Sequence, residues 1–470
     1  MKKWISVLLV VALLAGLFFG GRTSRGTVNN VPNEPAEVIG ENEDDLDDDQ
    51  ASLEDSNEDP DNEPEDKDTT EAGENPLKIG VILIGDETEN YSKSHIEGIT
   101  QAAQSIGITQ DQIEWKERIS DSDSSYDAVS ELLDDGCNLL IANAAVHQDA
   151  MTDAATDNPD DRFVVIGGNN AAFADLDNYY NAYTDIYEAR YVSGVVAGMK
   201  LKQLDRKGKI GEHGYDDAGN VRVGYIAAFR NAEAISGYTA FYLGMRSVMG
   251  NVVMEVQYTN KWLDIDAEAT AADALIRSGC PLIAQNTNSN GAAETVEKAW
   301  DSGKHVYYIG CSTQEVQKAP NAALTSAVSD WSVYYTKLLK AVSEEQAFVQ
   351  DWNGGFQEGA VSVTKPGSHA APKTAAKVDK VIKKIRSGKL HVFDTAKFTV
   401  AGKHIWSEDA MIDLSITDAS TDEASEDDVI KSALVSYDGG AYFGESMFRS
   451  APYFTLHIDG ITELNAVDEG

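Results

Sequence analysis

The sequence is short of three things, and each shortage narrows its chemistry. Its 470 residues include only three cysteines, Cys137, Cys280 and Cys311, an odd number with no C-x-x-C pair. That spacing suggests neither a disulfide framework nor a sulfur-ligated metal, and we read all three as small core residues. Basic residues are also scarce: 38 Lys and Arg stand against 78 Asp and Glu, a formal charge of −40. Phosphate backbones are held by clustered cations, so nucleic acid is excluded as a partner. The third shortage is catalytic machinery, since there is no G-x-S-x-G elbow, Walker loop, G-x-G-x-x-G or H-E-x-x-H. His147-Gln148 and the acidic pairs stand isolated. We therefore expect no enzyme, no cofactor and no bound metal.

What is present begins with Lys2 and Lys3 ahead of an apolar run over residues 4–19, the order of an export signal. No cysteine precedes Cys137 to carry a lipid, and no clear A-x-A cleavage site follows. Residues 1–22 are expected to be a signal peptide or an uncleaved membrane anchor at the short edge of spanning length. Residues 41–71 hold 17 acidic side chains and one lysine, with almost no large apolar groups. Such a composition cannot offset its ordering entropy, so 23–76 reads as an acidic disordered linker kept extended by self-repulsion.

From Leu77 onward, short β-rich runs alternate with amphipathic helical stretches, the pattern of βαβ units. Residues 77–84 (LKIGVILI) are continuously apolar after Lys78, as in a strand covered on both faces. Ile96, Ile99, Ala103 and Ile106 then form one helical stripe, with Gly107 placed to end it. The chain also repeats itself. Gly136-Cys137-Asn138-Leu139-Leu140-Ile141-Ala142-Asn143 returns 143 residues later as Gly279-Cys280-Pro281-Leu282-Ile283-Ala284-Gln285-Asn286. At the same offset Phe163-Val164-Val165-Ile166-Gly167 matches Val306-Tyr307-Tyr308-Ile309-Gly310, and at an offset of 144 Lys78-Ile79-Gly80-Val81 resembles Arg222-Val223-Gly224-Tyr225. Three strands repeating in order predict two similar doubly wound α/β lobes with parallel sheets. We place the two-lobed domain at 77–403, with lobe 1 at about 77–186 plus later returning segments and lobe 2 at about 187–311. A C-terminal extension with short strands follows at 404–470, including an acidic stretch at 418–428.

Ligands of open parallel sheets bind beyond the carboxyl ends of the strands, where backbone N–H groups and helix N-termini are unpaired. Two such lobes facing each other make a cleft. The residues after the repeated strands are then the candidates: Asp86, Asn143, Asn169, Phe229, Asn286 and Ser312, with Tyr91, Trp262 and Asp264 in the loops beyond. Amides supply donor and acceptor together without a charge, and the aromatic rings suit a flat ligand. The competing structural readings are helix capping for the asparagines and Asp264 and core packing for the aromatics.

The segment Asp185-Ile186-Tyr187-Glu188-Ala189-Arg190-Tyr191-Val192-Ser193-Gly194-Val195-Val196-Ala197-Gly198 resembles the E-x-x-Y-x-x-G-x-x-A motif of basic membrane protein (BMP) family substrate-binding proteins. The first loop Gly85-Asp86-Glu87-Thr88-Glu89-Asn90-Tyr91, the aromatic loop from Tyr258 to Asp264, and Ala323-Leu324-Thr325-Ser326, Gly359-Ala360-Val361 and Val392-Phe393-Asp394-Thr395 follow in the family's order. The resemblance implies a periplasmic-binding-protein type I fold with three crossovers, closing on a ligand for ABC import, typically a purine nucleoside. It implies base stacking by Tyr91 and by Phe229 or Trp262, and a Glu188 that braces a loop at the hinge. One departure is plain: where the family carries G-V-D, this chain reads Gly310-Cys311-Ser312, a hydroxyl in place of the carboxylate that holds ribose hydroxyls. The partners implied are a small nucleoside-like molecule, an ABC permease and ATPase, and the outer face of a membrane reached through the N-terminal segment. A sugar ligand, a ligand-sensing domain without transport, and a surface scaffold are the other readings the sequence leaves open.

Overall fold

The computed structural model describes residues 76–414 and 430–466. The apolar run, the acidic linker up to residue 75 and the acidic stretch 418–428 lie outside the described residues. Among the described residues no helix is long and apolar enough to cross a membrane.

The first lobe is built from β1 (Ile79–Ile82), α1 (Asn90–Ser105), β2 (Ile113–Lys116), α2 (Ser122–Asp134), β3 (Leu139–Ala142), α3 (Gln148–Asp157), β4 (Arg162–Ile166) and β5 (Tyr179–Thr184). The chain crosses into α4 (Ile186–Arg206) and a second set: β6 (Val221–Ala227), α5 (Ala232–Arg246), β7 (Val252–Tyr258), α6 (Ile265–Arg277), β8 (Leu282–Asn286), α7 (Gly291–Asp301), β9 (Tyr307–Gly310), α8 (Thr313–Lys318) and β10 (Ala323–Ser329). It returns for α9 (Ser332–Ser343) and β11 (Asp351–Gly354), then crosses again to β12 (Val361–Val363) and α10 (Thr374–Arg386). The two sheets run β11-β5-β4-β3-β1-β2 and β12-β10-β9-β8-β6-β7, so strands of equal rank hold equal places. The sequence repeat is therefore a repeat in space: β3 and β8, β4 and β9, and β1 and β6 are counterparts. Its leading glycines have a physical reason, since Gly136 and Gly279 take φ of +83° and +104° just past α2 and α6, where a left-handed residue ends a helix at least cost. The second lobe extends past the expected boundary near 311, because β10 pairs in parallel with β9 as far as Ser326.

Both sheets are almost wholly parallel and covered on two faces, which explains why β1, β3 and β9 are buried at every residue. Helices α4 and α5 approach each other backbone to backbone. A Cβ on Gly194 would stand 2.0 Å from the Phe241 carbonyl oxygen, and one on Gly198 2.6 Å from that of Met245. The glycine of the E-x-x-Y-x-x-G-x-x-A segment is thus the contact that lets two helix backbones touch.

Among the described residues three crossings join the lobes, and they are tied to one another. Thr184 Oγ1 and Ser329 Oγ lie 2.7 Å apart, Asp185 N–H donates to the Gly354 carbonyl at 2.8 Å, and Asp330 N–H donates to that of Ala360 at 2.8 Å. Glu188 Oε2 accepts from Phe356 N–H at 2.7 Å in the third crossing, which is the loop-bracing place the resemblance implied. Burial pushes the Glu188 carboxyl up to about 8 and Asp185 to about 6.

The C-terminal segment, whose place the sequence left open, packs on the second lobe. β13 (Met411–Asp413) pairs with β14 (Ile430–Ser432), and β15 (Leu434–Tyr437) with β16 (Gly440–Phe443), both antiparallel. β17 (Ile461–Glu463) joins the second sheet parallel to β7 and becomes its seventh strand. Phe454 is fully buried and stacked on Phe393, ring centres 4.4 Å apart.

Two predictions follow from the packing and the hinge. Gly194→Ala should lower the urea midpoint, because overpacking costs about 1–3 kcal/mol and outweighs the helix-propensity gain of about 1 kcal/mol; an unchanged or raised midpoint would contradict the close approach. A carboxyl whose folded pKa is raised stabilises the fold fully below its unfolded pKa and loses that contribution as pH rises through the folded value. Stability should fall between roughly pH 4.5 and 8, and Glu188→Gln, which keeps the acceptor and cannot ionise, should flatten that fall in denaturation series across pH.

Candidate functional site

The carboxyl ends of both sheets face a shared cavity of about 300 Å³, lined by residues of both lobes. The first lobe contributes the opening of α1, with Asn90, Tyr91 and Ser94, the end of β5 with Tyr183 and Thr184, and Trp331 from the second crossing. The second lobe contributes Arg190 from α4, Glu233 and Gly237 from α5, and Asn286, Cys311 and Ser312 at the ends of β8 and β9.

Of the nine residues the sequence proposed, Tyr91, Asn286 and Ser312 line this cavity. Tyr91 is fixed by its hydroxyl, which donates to the Asn143 carbonyl at 2.7 Å, leaving the ring edge-on to His95 with centres 4.5 Å apart. Asn286 turns its amide oxygen to Arg190 Nη2 at 3.2 Å. Ser312 caps α8, accepting from Glu315 N–H at 3.3 Å.

The other six lie away from the cavity wall, and each has a structural reason. Asn143 is fully buried beneath the strand tips, where Oδ1 takes the Ile84 N–H at 2.8 Å and Nδ2 reaches Ser92 at 3.3 Å. It is equivalent to Asn286 in topology, but faces the β1–α1 loop. Asp86 is occupied by the Thr88 N–H at 2.8 Å and by Arg118 Nε at 2.6 Å. Thr88 and Arg118 hold its pKa down to about 2. Asn169 is exposed, its N–H bonded to Gln148. Phe229 and Trp262 pack on each other at 5.8 Å, and the Trp262 carbonyl accepts from Asn288 N–H, so the pair braces the loop after β8. Asp264 is the N-cap of α6, accepting from Ala267 N–H at 2.9 Å and facing Lys261. Cys137 and Cys280 are buried as expected, whereas Cys311 is part of the cavity wall because β9 ends there.

Several cavity residues were missed. Arg190 is buried, donating from Nη1 to the Gln285 carbonyl at 2.9 Å, while its Nε has no partner. A guanidinium taken out of water is costly without full hydrogen bonding, so this one is positioned to meet an acceptor. A signal for it existed: it is the one charge in the Ala189–Gly198 stretch of α4 that the motif leaves free. Glu233 also faces the cavity, and burial raises its pKa against the opposing effects of the Tyr183 hydroxyl and the Arg190 charge. Trp331, buried and stacked on His95 at 4.4 Å, sits directly after a crossing that the sequence did not place.

The cavity is spanned by direct contacts. Asn90 N–H donates to the Asn288 carbonyl at 3.3 Å, and its side-chain amide approaches Asn290 Oδ1 and Glu315 Oε1, each at 3.4 Å. Glu315 is itself a buried carboxylate one turn past Ser312, accepting from Cys311 N–H and the Tyr308 hydroxyl. With Asn90 of the first lobe bonded directly to three residues of the second, this is a closed arrangement. Asn143→Ala should therefore lower stability by about 1–3 kcal/mol, the cost of orphaning buried partners, with a smaller effect on ligand affinity than on the denaturation midpoint. An affinity loss with stability intact would return Asn143 to the ligand.

A family profile described as ABC transporter substrate-binding protein, PnrA-like, matches residues 81–395. The chain is 27% identical over 323 residues to a purine-binding protein of Brucella abortus, covering 68% of this chain and 84% of that one. It is 27% identical over 300 residues to a putative ABC transporter glucose-binding protein of Haloferax volcanii, covering 63% and 70%. Among solved structures, an ABC transporter solute-binding protein of Aeropyrum pernix superposes with a TM-score of 0.55 at 16% identity, over 68% of this chain and 93% of that one, a likeness of fold. The resemblance read from the ordered motifs is thus a relationship over two thirds of the sequence, and the chain belongs to the Bmp family of PnrA-like ABC transporter substrate-binding proteins.

Proposed function

We propose that this protein captures a nucleoside-like ligand between its lobes outside the cell and presents the closed form to an ABC permease and its ATPase. The observation that carries the reading is the cavity itself, in which the rings of Tyr91 and Trp331 and the polar groups of Arg190, Glu233 and Asn286 converge from both lobes. Aromatic rings offer flat apolar contact at little entropy cost, and a few directed polar groups set orientation. Contacts from both lobes are made only when the lobes are together, so ligand favours closure. The family is one of solute-binding proteins, not of enzymes. The N-terminal segment, with its export-signal order, would tether the folded part to the membrane or release it after cleavage, and the acidic linker would set its reach.

The ligand is tested by calorimetry with guanosine, adenosine, uridine and glucose. Binding of a purine nucleoside, with glucose inert, is expected. Tyr91→Ala should weaken it by about 1–3 kcal/mol, roughly 5- to 150-fold, as for loss of a base-stacking ring, while Tyr91→Phe, which keeps the ring, should stay near the parent. Glucose binding without nucleoside binding would move the assignment to the sugar reading that the haloarchaeal relative favours.

A further inference from the structure

The matched family stretch ends at residue 395, and what lies beyond it touches both lobes. Residues 445–450 are flanked on each side by anchors in the second lobe: Phe443 of β16 before them, and Phe454 and β17 after them, are built into its core and sheet. Between these anchors the chain leaves that lobe. Ser446, held at φ +61° in the left-handed region that a serine rarely adopts, lies by the Asp185 carboxyl in the first crossing, where its hydroxyl counters the rise that burial imposes on that group's pKa. Ser450 N–H then donates to both carboxylate oxygens of Asp351, at 3.0 and 3.1 Å. Asp351 belongs to β11 in the first sheet, paired with Asn181 of β5, three positions before the Gly354–Thr184 pair at the hinge. At about 3.3 Å per residue this contact stands roughly 10 Å into the first lobe, a real lever arm. Glu445, buried beside Ser236 of α5 and close to Asp185, fixes the start of the segment by accepting from Tyr453 N–H at 3.3 Å.

We propose that residues 445–450 form a fourth strap across the hinge, with Ser450, Asp351 and Ser446 as positioning residues that hold the lobes closed. Opening carries β11 away from the second lobe, so it has to break the Ser450–Asp351 contact or peel the strap from its anchors. A carboxylate accepting a backbone N–H is the stronger kind of hydrogen bond, and it lies off the rotation axis, where rotation lengthens it most.

The test uses the full chain without ligand, carrying spin labels at Asp123→Cys and Asp266→Cys in a Cys311→Ser background. Both sites are exposed, at the equivalent cleft-side openings of α2 and α6, so their separation grows on opening. The parent should show mainly the short distance. Ser450→Pro, which removes the N–H, and Asp351→Ala, which removes its acceptor, should each raise the open-to-closed ratio about tenfold or more, the loss expected of a hydrogen bond to a charged group. Their melting curves should stay cooperative. Distance distributions of a folded Ser450→Pro and of Asp351→Ala that superimpose on the parent's would overturn the strap, and if Ser450→Pro does not fold, Asp351→Ala decides alone. The strap rests on the hinged-capture reading but on no ligand identity: a wrong ligand would show in calorimetry, a wrong strap in these distances.

Discussion

Rotation of one lobe against the other has to pass through three crossings that lie within hydrogen-bond reach of each other. Thr184 meets Ser329, Asp185 meets Gly354, and Glu188 holds Phe356. Because these bonds join crossing to crossing, the hinge moves as one body and the sheets pivot without losing their register. The same narrow waist is where carboxyls are buried, with Asp185 and Glu188 pushed toward neutrality. In a buried pivot of low dielectric the bonds these groups make are strengthened, so its geometry depends on a few directed contacts. All that reaches the cavity from α4, including Arg190, is set by how that helix leaves the first crossing.

The fold was legible because buried parallel strands cannot disguise themselves. Residues 77–84 had to be apolar on both faces, and duplication left Gly136 and Gly279 where two helices end in left-handed turns. The crossings were harder to place. Nothing in the run Ser329-Asp330-Trp331 marks a change of lobe in a single sequence, so neither the extent of the second lobe nor the place of Trp331 is legible there.

The site was legible only in part, and the reason is one of direction. Position after a strand says that a residue is near the cleft, whereas facing it depends on the loop's path. Asn143 and Asn286 occupy equivalent strand ends, yet the first turns inward to hold the β1–α1 loop and the second faces the cavity. Asp264 and Ser312 both cap helices, but only Ser312 also lines the cavity. The carboxylate expected of G-V-D is absent at Ser312, while Glu315, a turn later, lies buried behind that loop and reaches Asn90 on the other lobe. Arg190 was hidden inside a motif read for its glycine and tyrosine, although a lone cation in an apolar helix is a signal in its own right.

The bridge from Asn90 to Asn288, Asn290 and Glu315 has a consequence for the transport cycle. These bonds join the lobes protein to protein, so part of the closing free energy comes from the chain itself and not from contacts with a ligand. A ligand shifts a two-state balance only by its differential affinity for the two states. Closing energy supplied by the chain raises apparent affinity and at the same time narrows the difference that a ligand makes to the closed population. A capture protein built in this way gains hold on its ligand at the expense of how sharply closure reports that the ligand is there.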